Sequence, residues 1–165
     1  KDEYIFKDFT IRFLNNVEER KIICYWIQFL KNNFTGPIKV YHWGNAEKVY
    51  LKYMKQTYPE FEFPEFEMID LLSYFKAEPI TIKGCFGYGL KEIVKQLYSL
   101  NLIQNQWLDD TTGLDAMVEI KKISELAKEK NIPLKRFEGI KKIVYYNYMD
   151  CRVIVDILKM LEKMI

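Results

Sequence analysis

Ile38-Lys39-Val40-Tyr41-His42-Trp43-Gly44-Asn45-Ala46-Glu47-Lys48-Val49-Tyr50-Leu51 is the stretch that sets the fold class. Thr35-Gly36-Pro37 breaks the chain before it. Ile38 to Trp43 is short, apolar and rich in β-branched and aromatic side chains, which predicts a strand. A helix is expected to start around Asn45, with Glu47, Tyr50, Leu51 and Met54 on its inward face. A strand followed at once by a helix is the βα unit of an α/β sheet. In open sheets of this kind functional groups gather beyond the carboxyl ends of the strands, and Glu47 lies just past such an end. The ordinary explanation of an acid there is the helix dipole. A carboxylate on a core-facing stripe is nevertheless costly unless it is paired or binds a metal. His42, the one histidine, reads first as a hydrogen-bonded residue of a buried strand. Its closeness to Glu47 adds it, with Asn45, to the candidate substrate contacts.

The same oddity returns near the carboxyl end. Val153, Ile154, Ile157 and Leu161 recur at the spacing of one helix face. One turn back that face reaches Asp150, and one more turn reaches Tyr146. Capping or the dipole accounts for most single acids near a helix start. Two acids at the first turns of two apolar faces can meet in one site.

Working outward, residues 3–11 alternate Tyr4, Phe6, Asp8 and Thr10 against Ile5, Lys7, Phe9 and Ile11, which predicts another strand. Asn16 is placed as an N-cap with Glu19 three residues on. Ile23, Trp26, Ile27 and Leu30 then form an inward stripe. Tyr58-Pro59 closes the helix that carries Glu47. Phe61 to Met68 alternates aromatic and acidic residues around Pro64 and reads as an extended edge segment. Asp70 is expected to cap a short helix, Leu71–Phe75. Gly84, Gly87 and Gly89 do not form a dinucleotide fingerprint. Gly89 opens a helix with Leu90, Ile93, Val94 and Leu97 inward. Lys91 sits in its first turn, where a cation is mildly disfavoured and a phosphate is welcome. Residues 102–112, with Trp107, Asp109 and Asp110, read as a loop. Residues 113–130 read as a helix with Met117, Ile120, Ile123 and Ala127 inward. Lys135, Arg136, Lys141 and Lys142 form the densest basic patch, on the approach to Asp150, and suit a nucleic-acid backbone.

Composition sets the outer limits. The 165 residues suit one domain with a real core, and 49% apolar with 16% aromatic content excludes disorder. A net charge of +2 excludes a broad basic surface but not a local groove. Cys24, Cys85 and Cys151 lack the spacing of a zinc site or a disulfide framework, and free cysteines suit a reducing cytoplasmic or nuclear compartment. No apolar run approaches a membrane span, and no signal peptide is recognisable.

Several of these stretches also resemble a known family. Tyr146-x-x-x-Asp150 resembles the third motif of the DEDD-type 3′–5′ exonucleases of the ribonuclease-H-like superfamily. Tyr41-His42-Trp43-Gly44-Asn45-Ala46-Glu47 resembles the "YHYGxxE"-like second motif of the YprB-type branch, which is also seen in nucleases of large DNA viruses and phages. Met68-Ile69-Asp70-Leu71-Leu72 resembles the "vDL" that follows. Gly89-Leu90-Lys91-Glu92-Ile93 resembles the "sLKxI" helix start, and Tyr146-Asn147-Tyr148-Met149-Asp150-Cys151 the "YNxxDC" ending. The family's first motif, Asp-x-Glu on the opening strand, has no counterpart here, and Asp2-Glu3 has the wrong spacing.

The resemblance implies an α/β, ribonuclease-H-like mixed sheet flanked by helices, without its first strands. Residues 1–165 would form a single exonuclease domain, or its carboxy-terminal part. Glu47 and Asp150 would bind a pair of Mg²⁺ or Mn²⁺ ions, Tyr146 would orient the attacking water, and Asn45, Lys91 and His42 would contact substrate. The implied substrate is the 3′ end of single-stranded DNA or RNA. A fused helicase, polymerase or other nucleic-acid-processing domain is an implied partner. The chain is expected to be an enzyme if the parent protein supplies the missing acidic pair. The alternatives are a catalytically inactive nucleic-acid- or protein-binding domain and a polymerase proofreading domain.

Overall fold

The structure, a computed structural model, describes residues 4–78, 80–108 and 112–163. Asp2-Glu3, Pro79 and Asp109-Asp110 lie outside the described residues. Among the described residues the order is α1 (Asn16–Asn33), β1 (Ile38–His42), α2 (Ala46–Thr57), β2 (Phe66–Asp70), α3 (Leu71–Ala77), α4 (Leu90–Ser99), α5 (Gly113–Glu129), a 3₁₀ turn (Leu134–Arg136) and α6 (Glu138–Glu162). The fold is α/β, mostly helical, with a small parallel sheet of two strands. No described helix is long and apolar enough to cross a membrane. The chain forms two compact units, residues 1–29 with 108–148 and residues 30–107 with 149–165, and the division falls within α1 and within α6.

In the first unit, residues 4–11 form no helix and join no sheet, unlike the strand their alternation predicts. Their alternation serves packing on helices instead. Tyr4 and Phe6 set their rings edge-on against Tyr148 of α6, at 6.2 and 5.1 Å. Phe9 meets Phe29 of α1 at 5.6 Å. Lys135 Nζ donates to Asp8 Oδ2 at 2.9 Å, and this bond holds the Asp8 carboxyl below its ordinary range against the opposing effect of burial. Ile123, Ala127, Leu134 and Ile140 form the core, with Ile11, Phe13 and Phe137 around it. Met117, expected inward, is 69% exposed, and Ala116 is buried in its place. Thr112 and Asp115 close a capping box at the start of α5. The α1 cap is Asn15 rather than Asn16: its Oδ1 accepts from Glu18 N–H at 2.9 Å.

The second unit is built on a βαβ arrangement. β1 pairs with β2 in parallel, from Ile38 opposite Phe66 to His42 opposite Asp70, with α2 as the crossover. β2 begins two residues after Pro64, where a residue without an N–H no longer interrupts the ladder. Ile38 N–H donates to Glu65 O at 2.9 Å. The alternation of a parallel ladder then turns the peptide groups of Val40 and His42 toward β2 and those of Lys39 and Tyr41 toward the outer edge of β1. No described strand covers that edge. Phe75, Ile93, Val94, Leu97, Val153 and Ile157 are among the most deeply buried side chains, each worth about 1.5–3 kcal/mol of transfer free energy.

Candidate acidic site beyond the strand ends

The carboxyl end of β1 turns sharply at Gly44, whose φ of +86° lies in the left-handed region where a Cβ is strained. Gly44 N–H donates to Asp70 Oδ1 at 3.0 Å, and His42 Nδ1 lies 2.7 Å from Gly44 O. A carbonyl can only accept, so Nδ1 carries the proton. Asp70 also accepts from Leu72 N–H at 3.1 Å and from Ser73 Oγ at 2.8 Å. It is the expected cap of α3, and it also ties the β1–α2 turn to the end of β2. Burial works to raise the Asp70 carboxyl, but the Gly44 and Ser73 hydrogen bonds and nearby His42 bring it below its ordinary value.

This turn sets the start of α2. Asn45 occupies the N-cap position without a side-chain cap bond and is exposed. Glu47 lies in the first turn, but not on a buried face as its spacing suggests: half of its side chain is exposed. Its Oε2 is 3.9 Å from His42 Nδ1. Tyr50 is likewise exposed, and the inward side of α2 narrows to Leu51 and Met54. His42 itself is buried, and among the described residues its Nε2 has no hydrogen-bond partner. Its Nδ1 is engaged with the β1–α2 turn.

Two further elements arrive at the same place. Trp43 Nε1 donates to Tyr88 O at 3.0 Å, which anchors the approach to α4 beside the end of β1. The Glu92 carboxylate accepts from the N–H groups of Phe86 and Gly87 at 2.7 and 3.0 Å and shapes the glycine-rich segment before the helix. Lys91, in the first turn of α4, holds its ammonium 5.4 Å from the centroid of the Trp107 ring. Trp107 Nε1 in turn donates to Asp150 Oδ1 at 3.2 Å.

Asp150 lies on α6, half-buried, next to buried Met149. Burial pushes its carboxyl up from 3.8 to about 6; the Trp107 hydrogen bond and the Lys91 charge pull it down, while the Glu47 charge raises it further. Glu47 and Asp150, far apart in sequence, are thus brought within electrostatic range of each other, with Lys91 and Trp107 beside Asp150. Tyr146 is half-buried one turn earlier on α6, in the first unit. Of the expected basic patch, Lys135 is paired with Asp8 and Lys141 with Glu138.

Asp156 was not singled out by its sequence position, yet it is buried on α6 and accepts from Gln104 N–H, Asn105 N–H and Asn105 Nδ2 at 3.3, 3.1 and 2.8 Å. These bonds span about fifty residues of chain, and no local pattern announces them. Trp107 falls in the same class.

No group of three or more His, Cys, Asp or Glu among the described residues could hold a metal ion, so these residues do not complete a two-metal centre. Glu47 and Asp150 are two carboxylates that feel each other's charge. Mg²⁺ is commonly held by one or two carboxylates, with water and substrate phosphate filling its remaining positions. Two mutually repelling carboxylates, one with raised proton affinity, gain stability from a nearby cation. Comparison with family models, with curated proteins and with solved structures finds no match.

Proposed function

We propose that the Glu47–Asp150 site belongs to a ribonuclease-H-like, YprB-type domain of the DEDD class that hydrolyses nucleic-acid phosphodiesters from a 3′ end with divalent ions. What supports this reading is that the Asp150 carboxyl, raised to about 6 chiefly by burial, also feels the Glu47 charge. Lys91 supports it, as a cation beside the acids at the start of a helix whose N–H groups favour phosphate. A bound divalent ion would supply Lewis-acid stabilisation of the phosphoryl oxygens and an activated water. Glu47 and Asp150 would anchor it from two elements. Trp107 keeps one Asp150 oxygen oriented, Lys91 neutralises a phosphate, and exposed Asn45 offers an amide to the nucleotide. The resemblance alone gives Tyr146 the part of a hydroxyl that orients water.

In the full-length protein, Asp150→Asn and Glu47→Gln should each abolish Mn²⁺-dependent shortening of single-stranded DNA carrying a 5′ label. Unchanged shortening in either variant would remove the assignment. A second reading, a nucleic-acid-binding domain without catalysis, draws on the lack of a third ligand among the described residues. Binding without shortening in the wild-type protein, unaltered by Asp150→Asn, would select it. A proofreading role would require a polymerase domain in the same protein.

A further inference from the structure

We infer that Asp156 is a positioning residue for the Asp150 site, acting through Trp107. The inference deepens the reading above. Asp156 is buried on the same helix as Asp150, and its Oδ2 gathers the Gln104 and Asn105 backbone N–H groups and the Asn105 side chain. Arg152 Nε stands 3.7 Å from Oδ1. A buried carboxylate is costly unless its oxygens are occupied, and here the donors come mainly from one segment. Fixing Gln104 and Asn105 fixes where the chain emerges two residues later. There the Trp107 indole reaches Asp150 Oδ1 and presents its ring to the Lys91 ammonium. One helix thus holds both the site carboxylate and the clamp that orients that carboxylate's neutral partner. Asp156 does not touch the reacting groups. Its part is to keep Asp150 in one orientation and Trp107 in the wall of the site.

The test uses the whole ¹⁵N-labelled chain and its three indole N–H resonances, Trp26, Trp43 and Trp107, assigned by single Trp→Phe variants. Asp156→Ala should shift the Trp107 indole proton upfield and speed its exchange with solvent about tenfold or more, as expected for a lost hydrogen bond to a charged acceptor. The Trp43 resonance, bonded to the Tyr88 carbonyl in the same unit, should stay in place. An unmoved Trp107 resonance, or equal displacement of Trp43, would overturn the inference, because the first denies the clamp and the second reduces it to general loosening. Should Asp156→Ala fail to fold, Asn105→Ala removes one of the three bonds. It should move Trp107 alone and by less, and no movement would again count against the clamp. Titration of the wild-type chain with Mn²⁺ is the separate arm. Paramagnetic broadening of the Trp107 resonance that is lost in Asp150→Asn supports the metal-site reading, whereas its absence counts against that reading and leaves the Asp156 result standing.

Discussion

Among single residues, the partly buried Asp150 carboxyl costs the fold stability at neutral pH. It sits at about 6 in the folded chain because burial disfavours the anion. The folded state therefore holds this proton more tightly than the unfolded state. The group's contribution to stability is fullest below about pH 4 and falls as pH rises through the window from about 4 to about 6. Asp150→Asn should raise the unfolding free energy at pH 7.5 by on the order of 2 kcal/mol, and the gain should vanish at pH 4. Urea denaturation at the two pH values checks it, and a variant less stable than wild type at pH 7.5 would show that lost contacts outweigh relieved burial. Glu47 and Asp150 could be picked out in the sequence because acids beside apolar helical spacing are rare enough to notice. Their surroundings were less legible. Glu47 has an inward angle, but in the first turn of a helix that angle leads past the packed layer toward solvent. Trp107 and Asp156 owe their roles to partners about forty to fifty residues away.

Among the elements, the βα turn was the most legible part, since a breaker, an apolar strand and a glycine at a forced bend are all local signals. Gly44 adopts a φ of +86°, and a Cβ there would meet only Leu72 Cδ2, at 3.7 Å. Gly44→Ala should therefore cost about 1–2 kcal/mol through backbone strain rather than collision, visible as a lowered urea midpoint with an unchanged slope. Asp70 joins that turn to β2 and α3. Asp70→Ala should cost about 1–3 kcal/mol, for a lost cap and an unsatisfied Gly44 N–H. Because the Asp70 carboxyl is held low, its stabilisation is present above the ordinary aspartate range and is lost only as pH falls through its folded value. The cost should therefore be undiminished at pH 6. Residues 4–11 show the limit of period-two reasoning. Alternation records which side chains are covered, and rings on helices cover them as well as a neighbouring strand would. The buried stripe of α6 is shifted from the sequence expectation: Met149, Val153, Ile157 and Met160 are buried, whereas Ile154 and Leu161 are half-buried.

For the molecule as a whole, a ligand that binds only the folded chain stabilises it by mass action, about 2.7 kcal/mol at one hundred times its dissociation constant. Mn²⁺ should therefore raise the thermal midpoint of the wild type at pH 7.5 and leave Asp150→Asn unmoved; an equal rise in both would place the ion elsewhere. The outer margin of β1 presents the peptide groups of Lys39 and Tyr41 with no described strand beside them. An uncovered margin is a template on which another extended chain can lengthen the ladder. Lys39 places a charge on that margin, as a gatekeeper does against stacking of copies. Replacing it with valine should leave the chain folded while making concentrated solutions scatter light and bind amyloid dyes.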